Sequence, residues 1–442
     1  INITGTIGAI SDGMHYAWTA PSIPLLESED SPVEINSSHE IWLENIYSFG
    51  GLGGLIVTIW FVNTFGRKPS ILFASIQHAV AWLLIAFADR VEILYAARCL
   101  AGLAGNVGFV AIPMYIAEIA DKQVRGFLGT FIYSNMMLGV LVLYSVAPYV
   151  TIASTAYVGL GVVILQFLLF LMMPESPYYH LIKGRQAKAL ESLQWVRNTT
   201  EVKEELEDIS KAVERQQSEK GRIIDLFIVK SNFQGVIIMT VLNAAQHFSS
   251  ISVLLMNMHT ILEDSEEFIS NNTASIIVAA LMLTACIGAS LVIDKFGRKK
   301  LLLASSLATG VSLVFLASYF AAKQANEDVK ASYGWVPFAS VVMYSFVFKF
   351  GLGLVPIVTT GELFPTNVKA MGMTMADAMY ITFSIISIYI YTYMRDGIGM
   401  YAPFFLFACS CILVALFTWF YIPETKGKSL EEIQKMLRGE KN

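Results

Sequence analysis

The sequence predicts an all-α membrane protein: twelve transmembrane helices in two six-helix bundles, joined by a polar helical linker. Three observations predict it. Apolar runs of about 20 residues, the length a bilayer span needs, occur about six times on each side of one long polar island, Pro174 to Lys230. That island is strongly charged, with Lys183, Arg185, Lys188 and then Glu201-Val202-Lys203-Glu204-Glu205-Leu206-Glu207-Asp208. The two sides also repeat one another. Phe65-Gly66-Arg67-Lys68 recurs as Phe296-Gly297-Arg298-Lys299, Glu118 recurs as Glu362, and Pro174-Glu175-Ser176 recurs as Pro423-Glu424-Thr425, at offsets of 231, 244 and 249 residues. Matched signals in one order at nearly one offset read as a tandem duplication with small insertions.

Composition agrees with this class. Of 442 residues, 55% are hydrophobic and only 15% charged, with a mean hydropathy of +0.57, whereas soluble domains carry about a quarter charged residues. The net charge of -5 says little as a sum, because the charges are sorted by loop. No basic run suits a nucleic-acid partner. Cys99, Cys286, Cys409 and Cys411 all lie in apolar runs, so neither a disulfide framework nor a metal site is expected. No cofactor is implied. There is no nucleophile–base constellation and no phosphate loop, so no enzyme is expected. The abrupt start at Ile1, inside an apolar run, leads us to expect that an N-terminal tail precedes it.

In chain order, the first bundle (residues 1–173) holds runs at 3–26, 41–63, 70–88, 93–117, 126–149 and 153–173. The linker (174–230) shows Leu190, Leu193 and Val196, then Leu206, Ile209 and Val213, at three- and four-residue spacing, which predicts two or three amphipathic helices. The second bundle (231–422) holds runs at 233–261, 273–293, 300–321, 335–360, 370–393 and 401–422. The tail (423–442) contains one more amphipathic segment, with Ser429 as N-cap and Glu432 three residues on completing a capping box.

Lys and Arg in the loops orient the chain. With the island cytoplasmic, 24 of the 30 Lys and Arg fall on that side. Glu27, Glu29, Asp30 and Glu34 fall opposite, as do Glu263, Asp264, Glu266 and Glu267. Both termini are then cytoplasmic, and a multi-pass plasma-membrane protein is expected. The glycosylation sequons at Asn36 and Asn271 fall in the outer loops, and Asn198 falls inside.

These motifs together are specific. Besides the pairs above, Arg98 with Gly102 opens span four, Pro113-Met114-Tyr115-Ile116-Ala117-Glu118 is followed by Arg125-Gly126, and Pro174-Glu175-Ser176-Pro177 by Lys183-Gly184-Arg185. Asp294-Lys295-Phe296-Gly297-Arg298-Lys299, Glu362-Leu363-Phe364-Pro365 and Pro423-Glu424-Thr425-Lys426-Gly427 complete the set. Over essentially its whole length the chain resembles the sugar porter family of the major facilitator superfamily. The first span, Ala17-Trp18-Thr19-Ala20-Pro21-Ser22-Ile23-Pro24, is most similar to the insect facilitated trehalose transporter branch. The resemblance implies the major facilitator fold, sugar transport by alternating access, a lipid bilayer and a small sugar as partners, and function as a monomer.

The resemblance also assigns roles. Arg67, Glu118, Arg125 and Glu175, repeated as Arg298, Glu362, Lys369 and Glu424, are the family's cytoplasmic gate: opposite charges at inner helix ends that pair when the inner side is closed and separate when it opens. Glu175 and Arg185 are expected to help hold it shut. The alternative, that these charges only follow the basic-loop rule and cap helices, accounts for the basic residues but not for the duplicated Glu118 and Glu362. Gln246 lies about 13 residues into span seven, roughly 20 Å deep, and heads Gln246-His247-Phe248-Ser249-Ser250-Ile251-Ser252, in the place of the family's sugar-binding motif. His247 and Ser252 replace a Gln and an Asn there, and Ser250 a Gly. An interhelical hydrogen bond is the alternative role for Gln246. Gly351-Leu352-Gly353-Leu354-Val355-Pro356 resembles the span-ten hinge, with Leu354 for a Pro and Ile357 for the aromatic that follows. Tyr133 stands for a Gln and Tyr380 for an Asn, so the pocket is remodelled toward aromatic and hydroxyl groups. The substrate-binding set is thus Gln246, His247, Ser252, Tyr133, Tyr380 and Thr19, and the hinge is Gly351, Gly353 and Pro356.

Coupling rests on one position. Proton-coupled members carry an Asp in span one facing the Arg that opens span four; here the pair is Thr19 and Arg98. Uncoupled, facilitated transport of trehalose or a hexose is therefore expected. Asp12, seven residues earlier on the same helix face, keeps proton symport open. The altered pocket keeps open a transport-dead sugar sensor, against which the short tail ending at Asn442 argues. Lys349 and Asp377, costly in a bilayer, are expected to pair with each other. His15, His78 and His247 are either titrating groups or simply hydrogen-bonded.

Overall fold

Strong apolar runs with few polar interruptions leave helix as the only way to satisfy the backbone in lipid, and the chain is helical accordingly. The computed structural model describes residues 4–28, 31, 33–120, 125–218, 221–426, 428 and 430–438. The first span is broken: a 3₁₀ turn at Thr4–Ile7 leads into α1 (Gly8–Ala17), and α2 (Thr19–Leu26) follows after Trp18. Then come α3 (Ser37–Phe65), α4 (Arg67–Ala86), α5 (Val91–Ile119), α6 (Arg125–Val146) and α7 (Ile152–Leu171). The polar island folds as α8 (Pro177–Ile182), α9 (Gln186–Arg197), α10 (Lys203–Ser218) and α11 (Asp225–Ile228).

Span seven is α12 (Lys230–His247), α13 (Ile251–Met256) and α14 (Met258–Leu262), followed by α15 (Asn271–Phe296) and α16 (Arg298–Ala325). A short α17 (Val329–Tyr333) precedes span ten, which is split into α18 (Val336–Phe350) and α19 (Val355–Leu363). Next are α20 (Thr366–Gly397), α21 (Tyr401–Tyr421) and the tail helix α22 (Leu430–Arg438). Eleven described segments are long and apolar enough to cross a bilayer as single stretches. The first span is the twelfth of the fold; its break at Trp18 leaves pieces of 10 and 8 residues.

Glycine sets how closely the helices of the first half pack. Without a hydrophobic drive between helices in lipid, close backbone approach supplies the attraction. A Cβ on Gly102 of α5 would stand 1.8 Å from the Tyr47 carbonyl of α3, and one on Gly50 would stand 2.2 Å from the Cys99 carbonyl. Gly13 of α1 and Gly139 of α6 make the same reciprocal approach, each 1.9 Å from the other helix's carbonyl. These four glycines let α3 and α5, and α1 and α6, lie backbone to backbone as closely packed pairs.

Breaks in the spans leave carbonyls without helical partners, and serine hydroxyls take them up. At the α12–α13 break the Ser249 hydroxyl donates to the Gln246 carbonyl at 2.7 Å and Ser410 to the Phe248 carbonyl. Ser250 there holds φ +80°, a left-handed conformation that glycine adopts without strain. At the α18–α19 break Ser305 donates to the Val347 carbonyl at 2.8 Å and accepts from the Leu352 amide at 3.0 Å. Irregular backbone of this kind is tolerated where protein rather than lipid surrounds it.

The island has a small core of its own: Leu193, Val202, Ile209 and Val213, flanked by Tyr178, Leu181, Leu190 and Leu206. Arg197 ties it to the first half, pairing with Glu205 at 2.7 Å and donating to the Ile119 carbonyl at the end of α5 at 2.9 Å. In the tail, Ile433 and Leu437 are buried, and Gln434 donates to the Leu363 carbonyl at 2.6 Å. The expected N-cap Ser429 lies outside the described residues. Asn36 is exposed and caps α3, accepting from the His39 amide at 3.0 Å, whereas Asn271 is the first residue of α15.

Candidate functional site

The duplicated charges form two matching clusters at the basic end of the bundle. Arg67 meets Glu118 at 2.7 Å, and the Ser176 hydroxyl donates to the other oxygen of Glu118. Arg298 meets Glu362 at 3.0 Å, and the Thr425 hydroxyl donates to Glu362 at 2.5 Å. Glu175 accepts the backbone N–H groups of Arg67, Lys68 and Ser176 at 3.2, 3.2 and 2.7 Å. Glu424 accepts those of Arg298, Lys299 and Lys426 at 2.9, 3.1 and 3.0 Å. Burial pushes the Glu175 carboxyl above its ordinary range, and these backbone donors pull it back.

The one-residue turns between the paired helices explain the Gly in each signature. Gly66 (φ +113°) and Gly297 (φ +86°) hold conformations that suit glycine, and a Cβ there would stand 2.2 Å from Glu175 Oε2 and 2.6 Å from Glu424 Oε2. Each carboxylate thus reads the N–H groups that open the next helix, where the dipole favours an anion.

The charges expected to pair at inner helix ends are paired in this structure, each within one half. Arg67, Glu118 and Glu175 all belong to the first half, and Arg298, Glu362 and Glu424 all to the second, so each pair joins helix ends of one half. The reason is reach: the partners sit at neighbouring helix ends of the same half, so pairing needs no movement between halves. Arg185 is exposed, and the side chain of Arg125 lies outside the described residues. Burial holds the Lys369 ammonium below its ordinary value, and the nearby Glu362 offsets this in part.

The two halves pack through α6 on α15 and α3 on α20, and the hydrogen bonds and ion pair that join them among the described residues lie toward the opposite, acidic end. Tyr16 bonds Ser252 at 2.8 Å, Thr19 donates to the Met256 carbonyl at 3.3 Å, Tyr144 donates to the Leu255 carbonyl at 2.6 Å, and Arg395 faces Glu40 at 3.5 Å. Beneath this closure lies a cavity of about 340 Å³, within the range of ligand pockets. Its wall combines both halves: Tyr16, Tyr47, Asn106 and Tyr133 from the first, Asn243, Gln246, Asp377, Tyr380 and Ser384 from the second. Toward the basic end the wall continues through Pro113, Ile357, Thr360 and Met373.

Of the expected substrate residues, Gln246, Tyr133 and Tyr380 line this cavity. His247 and Ser252 stand outside the lining, buried and bonded to each other at 2.7 Å, with His247 edge-on to Tyr380 at 4.2 Å. Both are taken up by packing: Ser252 also bonds Tyr16 and Ser384. Thr19 is spent on the closure. Of the hinge residues, Gly351 and Gly353 fall in the α18–α19 break and Pro356 in the first turn of α19. Tyr47, Asn106 and Asn243 were not singled out from sequence. An amide in an apolar run was the available signal for the two asparagines.

The intramembrane charges divide. Lys349 and Asp377 do not pair: the Lys349 ammonium lies 5.7 Å from the Phe348 ring, and Asp377 faces the cavity. They sit on α18 and α20, and Lys349 lies alongside the Gly353 turn instead. Arg98 is fully buried, donating to the Leu43 carbonyl at 3.1 Å and to the His15 carbonyl, with its guanidinium 4.9 Å from the Tyr47 ring. Asp12 meets His78 at 2.8 Å, and His15 stacks on Trp82 at 3.8 Å.

Comparison with known proteins places this architecture. The family model described as "Sugar (and other) transporter" matches residues 4–437. The chain is 30% identical over 442 residues to the facilitated trehalose transporter Tret1 of Polypedilum vanderplanki, covering 99% of this chain and 87% of that protein. It is 30% identical over 433 residues to Tret1 of Bombyx mori, covering 98% and 85%. The inward-open xylose transporter XylE from E. coli superposes with a TM-score of 0.81 at 22% identity, covering 99% of each chain. XylE bound to 6-bromo-6-deoxy-D-glucose gives 0.79 at 22% identity, covering 99% of this chain and 98% of that one. Two repeated halves around a shared central cavity give the chain the fold of these structures, and a family match over nearly the whole length shows that it belongs to the sugar transporter family.

Proposed function

We propose that the chain moves a sugar, trehalose or a hexose, down its own gradient by alternating access. The island and both termini are cytoplasmic, the membrane is the plasma membrane, and the monomer is the working unit. The observation that carries this is the cavity between the halves, walled off at the acidic end by the Tyr16–Ser252, Thr19–Met256 and Glu40–Arg395 contacts and continuing toward the basic end. A site reached from one side and sealed at the other by contacts between two rigid halves suits rocking about that site. The absence of coupling is supported by Arg98, whose contacts are carbonyl oxygens and ring faces, and by Thr19, which offers no titratable group. In liposomes, the purified chain is expected to take up labelled sugar saturably and equally well with and without a proton gradient. Gln246→Ala is expected to lower kcat/KM about tenfold or more, through loss of one hydrogen-bonding partner for the sugar. Flux that collapses with the proton gradient would overturn the uncoupled reading.

One observation favours a second reading, proton symport through Asp12. Its carboxylate meets His78 and lies against the α5 glycines: a Cβ on Gly108 would stand 2.5 Å from Asp12 Oδ2, and one on Gly105, which lines the cavity, 3.5 Å from Oδ1. On this reading Asp12→Asn abolishes sugar-driven proton movement. Unchanged pH dependence of flux in Asp12→Asn rejects it and leaves uncoupled transport.

A further inference from the structure

The chemistry of the cavity wall is one-sided. Among the described residues that line it there is one formal charge, Asp377, and no Lys, Arg or His. No ion pair or hydrogen bond among the described residues engages that carboxylate, since Lys349, the expected partner, lies over Phe348. The amides on the wall are oriented by carbonyl neighbours. Asn106 Nδ2 donates to the Gly51 carbonyl, Asn243 Nδ2 to the Met239 carbonyl at 3.0 Å, and Gln246 Nε2 points at the Gly353 carbonyl at 3.4 Å. A carbonyl oxygen only accepts, so each amide must present its NH₂ to it and keep its oxygen for something else. Gln246 Oε1 is buried without a partner. Four tyrosines, Tyr16, Tyr47, Tyr133 and Tyr380, supply most of the aromatic surface.

A neutral sugar hydroxyl can donate one hydrogen bond to the lone carboxylate, but it also accepts and brings no charge to balance it. A protonated amine only donates. It matches left-over amide oxygens, carries the charge opposite to Asp377, and is attracted to tyrosine faces. A buried carboxylate with no counter-ion on an otherwise uncharged wall is costly, and a cationic ligand offsets more of that cost than a neutral one. We infer that the cavity takes a sugar-sized ligand bearing a protonated amine, with Asp377 as its counter-ion. The inference rests on the sugar-transporter reading and names the member of that substrate class that this wall fits.

The test compares three probes of one ring size in liposomes containing the full chain: labelled glucosamine, N-acetylglucosamine and glucose. The acetyl group keeps the substituent and removes the charge. The expected result is a kcat/KM for glucosamine about tenfold or more above both neutral sugars, the scale of one charge-assisted hydrogen bond. Asp377→Glu is expected to keep that ratio, and Asp377→Asn to bring it near one. Because the ratio is taken within one preparation, it does not depend on how much of a variant folds. Equal uptake of glucosamine and glucose, uptake of N-acetylglucosamine matching glucosamine, or a ratio unchanged in Asp377→Asn each overturns the inference while leaving sugar transport standing. No flux of any probe overturns both.

Discussion

Gly102→Val is expected to cost the fold at least about 3 kcal/mol, the upper part of the range for overpacking. The new Cβ alone would sit 1.8 Å from the Tyr47 carbonyl, and the obstacle is backbone, which cannot swing aside like a side chain. Accommodating it means separating α3 from α5. In lipid that loses the close packing which holds the pair together, with no hydrophobic gain to replace it. Folding stabilities are only about 5–15 kcal/mol, so a large share goes at once. Thermal unfolding of the detergent-solubilised protein, read by size exclusion, measures the loss. Gly53→Ala is the control: nothing lies within 4 Å of a Cβ there, and alanine is the better helix former by about 1 kcal/mol, so that variant should be as stable or slightly more so. If both changes behave alike, close α3–α5 packing is not what stabilises the first half.

Glu118→Ala should destabilise by about 3–5 kcal/mol, because it strands the buried Arg67 guanidinium. The two side chains are 5% and 13% exposed, so water cannot take over from the lost carboxylate. Glu362→Ala removes the matching partner of Arg298, yet Glu362 is 26% exposed, and solvent screening should leave a smaller loss. Glu207→Ala breaks a pair on exposed α10, where both side chains are more than two-thirds exposed, and should have no measurable effect. The informative result is the order. Losses ranked Glu118, Glu362, Glu207 support clusters that brace the helix ends of each half. Equal, negligible losses at Glu118 and Glu362 would return the clusters to simple helix capping.

The duplicated pairs each lie within one half, whereas the contacts that join the halves at the acidic end involve Tyr16, Thr19, Tyr144 and Arg395. Glu40 and Arg395, on α3 and α20, are the charged members of that closure.

The sequence by itself determined the twelve spans, the helical island and the pairing of motifs between halves. Hydropathy and helical spacing are local properties, and a duplicated signature is legible wherever it falls. It also marked Gln246, Tyr133 and Tyr380, which reach the cavity. Tertiary structure decided the rest. Whether Asp377 faces Lys349 or the cavity depends on how α20 is turned against α18, which no spacing encodes. Asn106 and Tyr47 reach the cavity because glycines let α3 and α5 lie close together. Thr19 and Ser252, beside the breaks at Trp18 and Ser250, are taken up by contacts between the halves, and His247 by Ser252 and Tyr380 of its own half. Glu118 and Glu362 each meet an arginine of their own half, a pairing that exists only once the helices are packed.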